Sequence, residues 1–417
     1  MSLNTQKLQR VSQFLFRAIL IFLAIWLSFF AEPIQSKCVH VLIIIFFAAL
    51  TFIIFANLAI AKAIFLDKTD IFLWAYIAMV TASVFFAQNR QRALDTYILY
   101  AIPIALLYFL FKIGFFLLKR KDWFFLIISS VAGLVALYAL LEYVFRRNPL
   151  YEHFVKNIYY KYYLFQHRAM ATQLVPQALG TYLAACMPAV YYFIFRSGNI
   201  RRRALWLAWS ILLFIGIIVS AQRVAVVSFL ISSFFYFVMK NRKALLGFCL
   251  LISVFLFVSY FVRTGPLRRV GIKGLTSETP YCYRMGRIIT TMKMVKDYPW
   301  FGIGLNHYKL MFDKYEKNRT GYFFKTPENM YLAILCETGV FSFVFFILFI
   351  SLLLKKAFIH VKLKLVNHEI ALALVSGAIA ILVSMLTYEA LHWAAPFCMF
   401  WIYCGMLASL VNVKQNV

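Results

Sequence analysis

A chain of 417 residues that is 64% hydrophobic and 19% aromatic carries more apolar side chain than a soluble fold buries, which excludes a soluble globular enzyme. Its formal net charge of +28 would point to nucleic acid in a soluble protein. Here the basic residues sit between apolar runs, where membrane topology places them, so no nucleic-acid partner is expected.

The apolar runs recur from end to end. They lie at 12–30, 39–60, 71–88, 96–118, 123–145, 175–195, 204–221, 223–239, 244–262, 329–354, 369–388 and 392–411. Each is long enough to cross a hydrocarbon core of roughly 30 Å as a helix. Strand-like alternation, the mark of a β-barrel, is absent. The sequence therefore predicts an all-α, polytopic integral membrane protein of about twelve transmembrane helices. Lys7 and Arg10 precede a first run too long for a signal peptide, so it reads as the first span.

Charge orients the spans. With the N-terminus inside, one set of loops carries Lys119–Lys121, Arg196 with Arg201–Arg203, Lys240 with Arg242 and Lys243, and Lys355, Lys356, Lys362 and Lys364. The short loops of the other side carry only Lys37, Arg90, Arg92 and Arg223. Both termini are expected to be cytoplasmic. Two longer segments then fall outside. Residues 146–174 are rich in Tyr and basic side chains and read as an interfacial segment. Residues 263–328 form the one loop large enough for a mainly helical extramembrane domain. It divides the chain into 1–262, 263–328 and 329–417. Within it, 284–298 reads as an amphipathic helix ending before Pro299. No internal repeat stands out, which weakens a transporter built from inverted repeats.

Several polar residues carry candidate chemistry. Arg223 in "IVSAQRVAVVSF" reads either as an arginine snorkelling to headgroups or as one at the mouth of an anion-binding cavity. Arg284 and Arg287, three apart, share a helix face and suit either a solvated basic face or a phosphate clamp. Pro299, Gly302 and Gly304 punctuate a turn. Glu328 and Asn329 follow Pro327 at the start of the tenth run. They suit a helix N-terminus, and Glu328 suits a general base. His307 is a second candidate base, His167 and Arg168 end the other outer loop, and Glu337 lies deeper in its helix. Glu389 and His392 read as a solvated turn between the last two runs. Asn318–Thr320 is a formal glycosylation triplet, a pattern common by chance. The seven cysteines show neither a disulfide framework nor metal-ligand spacing, so neither a metal nor another cofactor is expected.

These phrases, in this order, resemble the O-antigen ligase and polymerase superfamily of bacterial envelopes. "RMGRIITTMKMVKDYPWFGIGLNHY" is similar to its Arg-led helix and D-x-P-x-x-G-x-G turn. "ENMYLAILCETGVFSF" is similar to its H-N-x-Y-L…E-x-G phrase, and "SAQRVAVVSFL" to its S-x-R-x-A element. Weaker likenesses are "SVFFAQNRQRALDTYILY" and "RAMATQLVPQALGTYLAACMPA". One departure matters: the family's His before Asn is Glu328 here.

The resemblance implies a loop domain over a lateral cavity and a glycosyltransferase of the bacterial inner (plasma) membrane, working on its periplasmic side. It implies an undecaprenyl diphosphate-linked glycan as donor, with inverting, metal-independent transfer. The acceptor would be lipid A-core for a ligase or a second carrier-linked glycan for a polymerase. Carried over by position, Arg223 and Arg284 hold the diphosphate and Glu328 takes the acceptor's proton. Arg287, His307, Asn329, His167 and Arg168 would contact substrate, and membrane lipids would surround the whole. A glycolipid flippase is the alternative of another class.

Overall fold

In this computed structural model the residues described are 3–29, 37–56, 67–153, 158–261, 265–270, 279–316 and 325–411. The Asn318–Thr320 triplet lies outside them. Among the described residues all regular structure is helical. Each of the twelve predicted runs coincides with a helix, from Leu3–Phe29 and Lys37–Ala56 to Ala394–Val411. Nine helices among the described residues are long and apolar enough to cross a membrane. His368–Ser384 is apolar but shorter, at 17 residues. The protein is an all-α polytopic membrane protein.

The centre of the bundle is formed by the Pro176–Arg196 and Ala394–Val411 helices. The first packs against Ile200–Val219, Arg223–Lys240 and His368–Ser384, and the second against Arg90–Leu117. Small residues let these backbones approach: Gly377 packs against the Ala185 carbonyl and the Tyr403 ring, a close contact that hydrocarbon solvent favours only through packing. At the edge, Arg242–Phe261 packs on the preceding helix and on Gly265–Val270. It leaves Leu246, Leu250, Leu251 and Phe257 exposed. In a bilayer this is a lipid-facing surface.

Polar groups pin the end that bears the basic loops. Asp70 accepts from Tyr108 Oη at 2.7 Å and from Lys112, and both Asp70 and Lys112 are buried. Lys356 bonds Asp67 and the Thr69 hydroxyl. Helices Lys68–Phe86, Arg90–Leu117 and Met330–Lys362 are tied together there. Asp67 also caps the first of them by accepting the Thr69 N–H, satisfying a free donor of the helix start.

Met330–Lys362 has 33 residues. As a straight helix it would run about 50 Å, well beyond a hydrocarbon core of ~30 Å. It is not straight. Gly339 has φ 83° and ψ 174°, which divides it into a short leading segment and a long membrane-crossing one. That break positions the candidate site.

Candidate active site

The site begins with a joint between two phrases that are far apart in sequence. The Pro299–Gly304 turn lies against the break in Met330–Lys362. Ile303 N–H donates to the Cys336 carbonyl at 2.9 Å, Gly304 N–H to the Glu337 carbonyl at 3.0 Å, and Val340 N–H to the Pro299 carbonyl at 2.9 Å. Gly302 and Gly339 have φ of 72° and 83°. A Cβ on Gly302 would run into the Glu337 backbone, and one on Gly339 into the Trp300 carbonyl. Both positions need glycine, for conformation and for space. The turn that Pro299, Gly302 and Gly304 mark in the sequence is thus an interlock. Glu337, buried, adds its carboxylate as an acceptor for the Tyr308 N–H at 3.3 Å.

His307 belongs to this joint. It is 1% exposed. Asn89 N–H donates to its Nε2 at 3.1 Å, and its Nδ1 lies 2.7 Å from the Leu305 carbonyl. A backbone N–H on Nε2 requires that nitrogen to accept, so Nδ1 carries the proton and donates. Both ring nitrogens are therefore engaged in holding the loop. Arg92 supports the same loop through Asn306, with Nε donating to its carbonyl at 2.9 Å.

The joint aligns Thr279–Asp297 beside the leading segment of Met330–Lys362. Thr291 Oγ1 lies 3.0 Å from Tyr308 Oη, and Met294 Sδ is 3.7 Å from Cys336 Sγ. This brings the arginines of the first helix onto Glu328. Arg287 Nη1 is 2.5 Å from Glu328 Oε1, and Arg284 Nε is 3.6 Å from Oε2. The Arg287 side chain is 6% exposed, Glu328 33% and Arg284 46%. The cluster therefore opens to one side.

Glu328 is fixed by its backbone. Its φ is 50°, a conformation a non-glycine residue holds only when its surroundings enforce it. Its N–H donates to Glu389 Oε1 at 2.6 Å. Asn329 caps the helix by accepting Leu332 N–H at 3.1 Å, and donates from Nδ2 to the Leu386 carbonyl at 3.0 Å. Met330 N–H donates to the Met385 carbonyl at 2.8 Å. The expected solvated turn at Glu389 is corrected here. Glu389 is buried because it must reach the Glu328 N–H, while His392 is exposed. Burial pushes the Glu389 carboxyl up to about 7, helped by the charge of Glu328 and opposed by the Glu328 N–H.

Further arginines lie within electrostatic reach of the cluster. Arg223 opens the Arg223–Lys240 helix after Ala221 at φ 51°. The charges acting on it are Arg269, in Gly265–Val270, and Arg284. Arg269 acts in turn on Arg168, whose guanidinium burial lowers to about 9. Arg168 lies 5.1 Å from the Tyr163 ring centre, and its Nη1 donates to Gln166 Oε1 at 3.3 Å. Its buried Nε has no partner among the described residues. His167, exposed at φ 55°, lines a small pocket with Arg168 and Glu142.

The structure thus gathers Arg223, Arg284, Arg287, Glu328 and Asn329 at one place. It joins Arg168 to them through Arg269, leaves His167 beside Arg168, and puts His307 in the supporting joint. Sequence reasoning missed Arg269, which sits in "GPLRRV" with no motif around it. It saw Glu389 but misjudged its burial. A line of like charges with one carboxylate among them is suited to an anion: mutual repulsion disfavours the bare cluster, and a polyanion would relieve it. Among the described residues no group of three or more His, Cys, Asp or Glu side chains is gathered to hold a metal.

Residues 208–347 match the family model described as O-antigen ligase. The match spans Arg223, Arg269, Arg284, Arg287 and Glu328, and it supports the O-antigen ligase-like superfamily for this chain. No curated protein matches the chain.

Proposed function

We propose that the protein is a membrane glycosyltransferase that moves a glycan from an undecaprenyl diphosphate carrier to a lipid A-core acceptor, on the outer face of the bacterial inner membrane. The observation that carries this reading is the contact of Glu328 with Arg284 and Arg287, beside Arg223 and Arg269. The family match over the same residues supports it.

The chemistry follows from the charges. An acceptor hydroxyl attacks the anomeric carbon of the donor. The new C–O bond forms as the bond to the β-phosphate oxygen breaks, and the electron pair leaves with undecaprenyl diphosphate. Arg223, Arg269 and Arg284 stabilise the charge gathered on that diphosphate. Glu328 takes the hydroxyl proton. Attack opposite the leaving group inverts the anomeric centre. An entry at the membrane level of Arg223 lets the prenyl chain stay in the bilayer while its headgroup reaches the cations.

The test is transfer by the purified, reconstituted protein. It is given glycan-loaded undecaprenyl diphosphate with lipid A-core, or with more of the same donor, in the presence and absence of a chelator. Glycan on lipid A-core, unaffected by chelation, is the expected result. Lengthened carrier-linked chains would make the enzyme a polymerase. Movement of the donor across liposomes with no new bond would replace the reading with transport.

A further inference from the structure

Glu328 has two tasks that conflict. As a base it needs a free carboxylate oxygen turned to the acceptor. In the structure Oε1 is 2.5 Å from Arg287 and Oε2 is 3.6 Å from Arg284. Both oxygens therefore face the guanidinium groups that a diphosphate would need. The carboxylate occupies the anion site itself.

We infer that Glu328 is a latch: its carboxylate fills the cation cluster in the resting protein, and the incoming diphosphate displaces it and so frees the base. This rests on reading the site as one for a prenyl diphosphate. Three features support it. Glu328 and Arg284 are both partly exposed, so that side of the contact is held weakly, and the carboxylate reaches the buried Arg287 from the open side, where another anion can take its place. Among the described residues neither Arg223 nor Arg269 has an ion pair, so cationic charge remains for a ligand while the latch is closed. And the Glu328 backbone is anchored through its own N–H to Glu389 and through Asn329 to Leu386, so the side chain can swing without moving the helix start.

The latch has two consequences. A bilayer is full of monoanionic phosphate headgroups, and every anion that enters the cluster must first compete with a tethered carboxylate. Weak ligands are kept out, while a diphosphate, carrying more charge, still binds. In the cycle, Glu328 becomes neutral when it takes the acceptor's proton and no longer competes. When it releases that proton to water it pairs with Arg287 again, which favours departure of the spent diphosphate. A histidine at this position carries no negative charge and cannot latch.

Binding tests this without turnover. The full chain, in phosphatidylcholine nanodiscs at low salt, is titrated with undecaprenyl diphosphate and, separately, undecaprenyl monophosphate. Glu328→Gln and Glu328→His should each bind both lipids about tenfold tighter than the wild type, the scale of one charge-assisted contact, and Arg223→Ala should bind the diphosphate more weakly. Unchanged or weaker binding in both Glu328 variants, with wild-type binding intact and Arg223→Ala impaired, overturns the latch alone. If wild type and variants all fail to bind undecaprenyl diphosphate, the donor assignment falls and takes the latch with it.

Discussion

The backbone N–H of Glu328 donates to the buried Glu389 carboxylate at 2.6 Å, which ties the start of one helix to the turn between the last two. A carboxylate at φ 50° does not hold its place unaided. Glu389 holds it at its own N–H, beside the anchors of Asn329 and Met330, so Glu389 is a positioning residue for the proposed base. Glu389→Ala should lower kcat by about tenfold, the scale of one lost charge-assisted hydrogen bond, while Glu389→Gln, which keeps the accepting oxygen, should restore most of it. Equal losses in the two variants would show that charge, not the hydrogen bond, is what matters.

The same residue sets a pH dependence of stability. Its carboxyl is raised from 4.5 to about 7 in the folded protein. A raised carboxyl is penalised only where it ionises. There is no penalty below pH 4.5, and the penalty grows through the window up to about 7 and is complete above it. Thermal stability should therefore fall as pH rises from 4.5 to 7, and Glu389→Gln should flatten that fall and leave the protein more stable than wild type at pH 8. Melting curves across that range check the sign.

The interlock between the two glycine-marked phrases gives a sharp contrast. Gly339→Ala puts a Cβ at φ 83° against the Trp300 carbonyl and should cost several kcal/mol or prevent folding. Gly247, on the lipid-facing helix, has nothing near its Cβ position, and Gly247→Ala should be neutral or slightly stabilising. Yield and melting temperature in detergent compare the two.

The buried pair at the other end of the bundle makes a prediction independent of function. Lys112→Met leaves Asp70 buried with two neutral donors, the Tyr108 hydroxyl and the Asp67 N–H, and no countercharge, and should destabilise by about 3–5 kcal/mol. Adding Asp70→Asn should recover much of that loss. Failure of the double variant to recover would mean that the pair contributes more than the cost of an uncompensated charge.

Hydrophobic run length made the helices legible. Each of the twelve apolar runs coincides with a helix, because in a bilayer backbone hydrogen bonds must close within the segment and length alone then identifies a span. The arginine pair and Glu328 were legible too, since a spacing of three on one helix and a carboxylate at a helix start are local patterns. The interlock was not. Pro299 and Gly339 are forty residues apart, and nothing in either phrase states that one backbone pairs with the other. Burial was hidden for the same reason. His307 and Glu389 look like ordinary loop residues until Asn89 N–H and Glu328 N–H are brought to them. Arg269 carries no local pattern, and only the return of its short helix to Arg223 and Arg168 places it in the cluster.

The most direct test of the central claim is the initial rate of glycan transfer from carrier to acceptor by reconstituted wild type, Arg223→Ala, Arg284→Ala and Glu328→Gln, each shown to be folded in the membrane. Arg223 and Arg284 act on the departing diphosphate and Glu328 on the incoming hydroxyl, so each variant should fall by at least about a hundredfold. Transfer at the wild-type rate in both arginine variants would contradict the account.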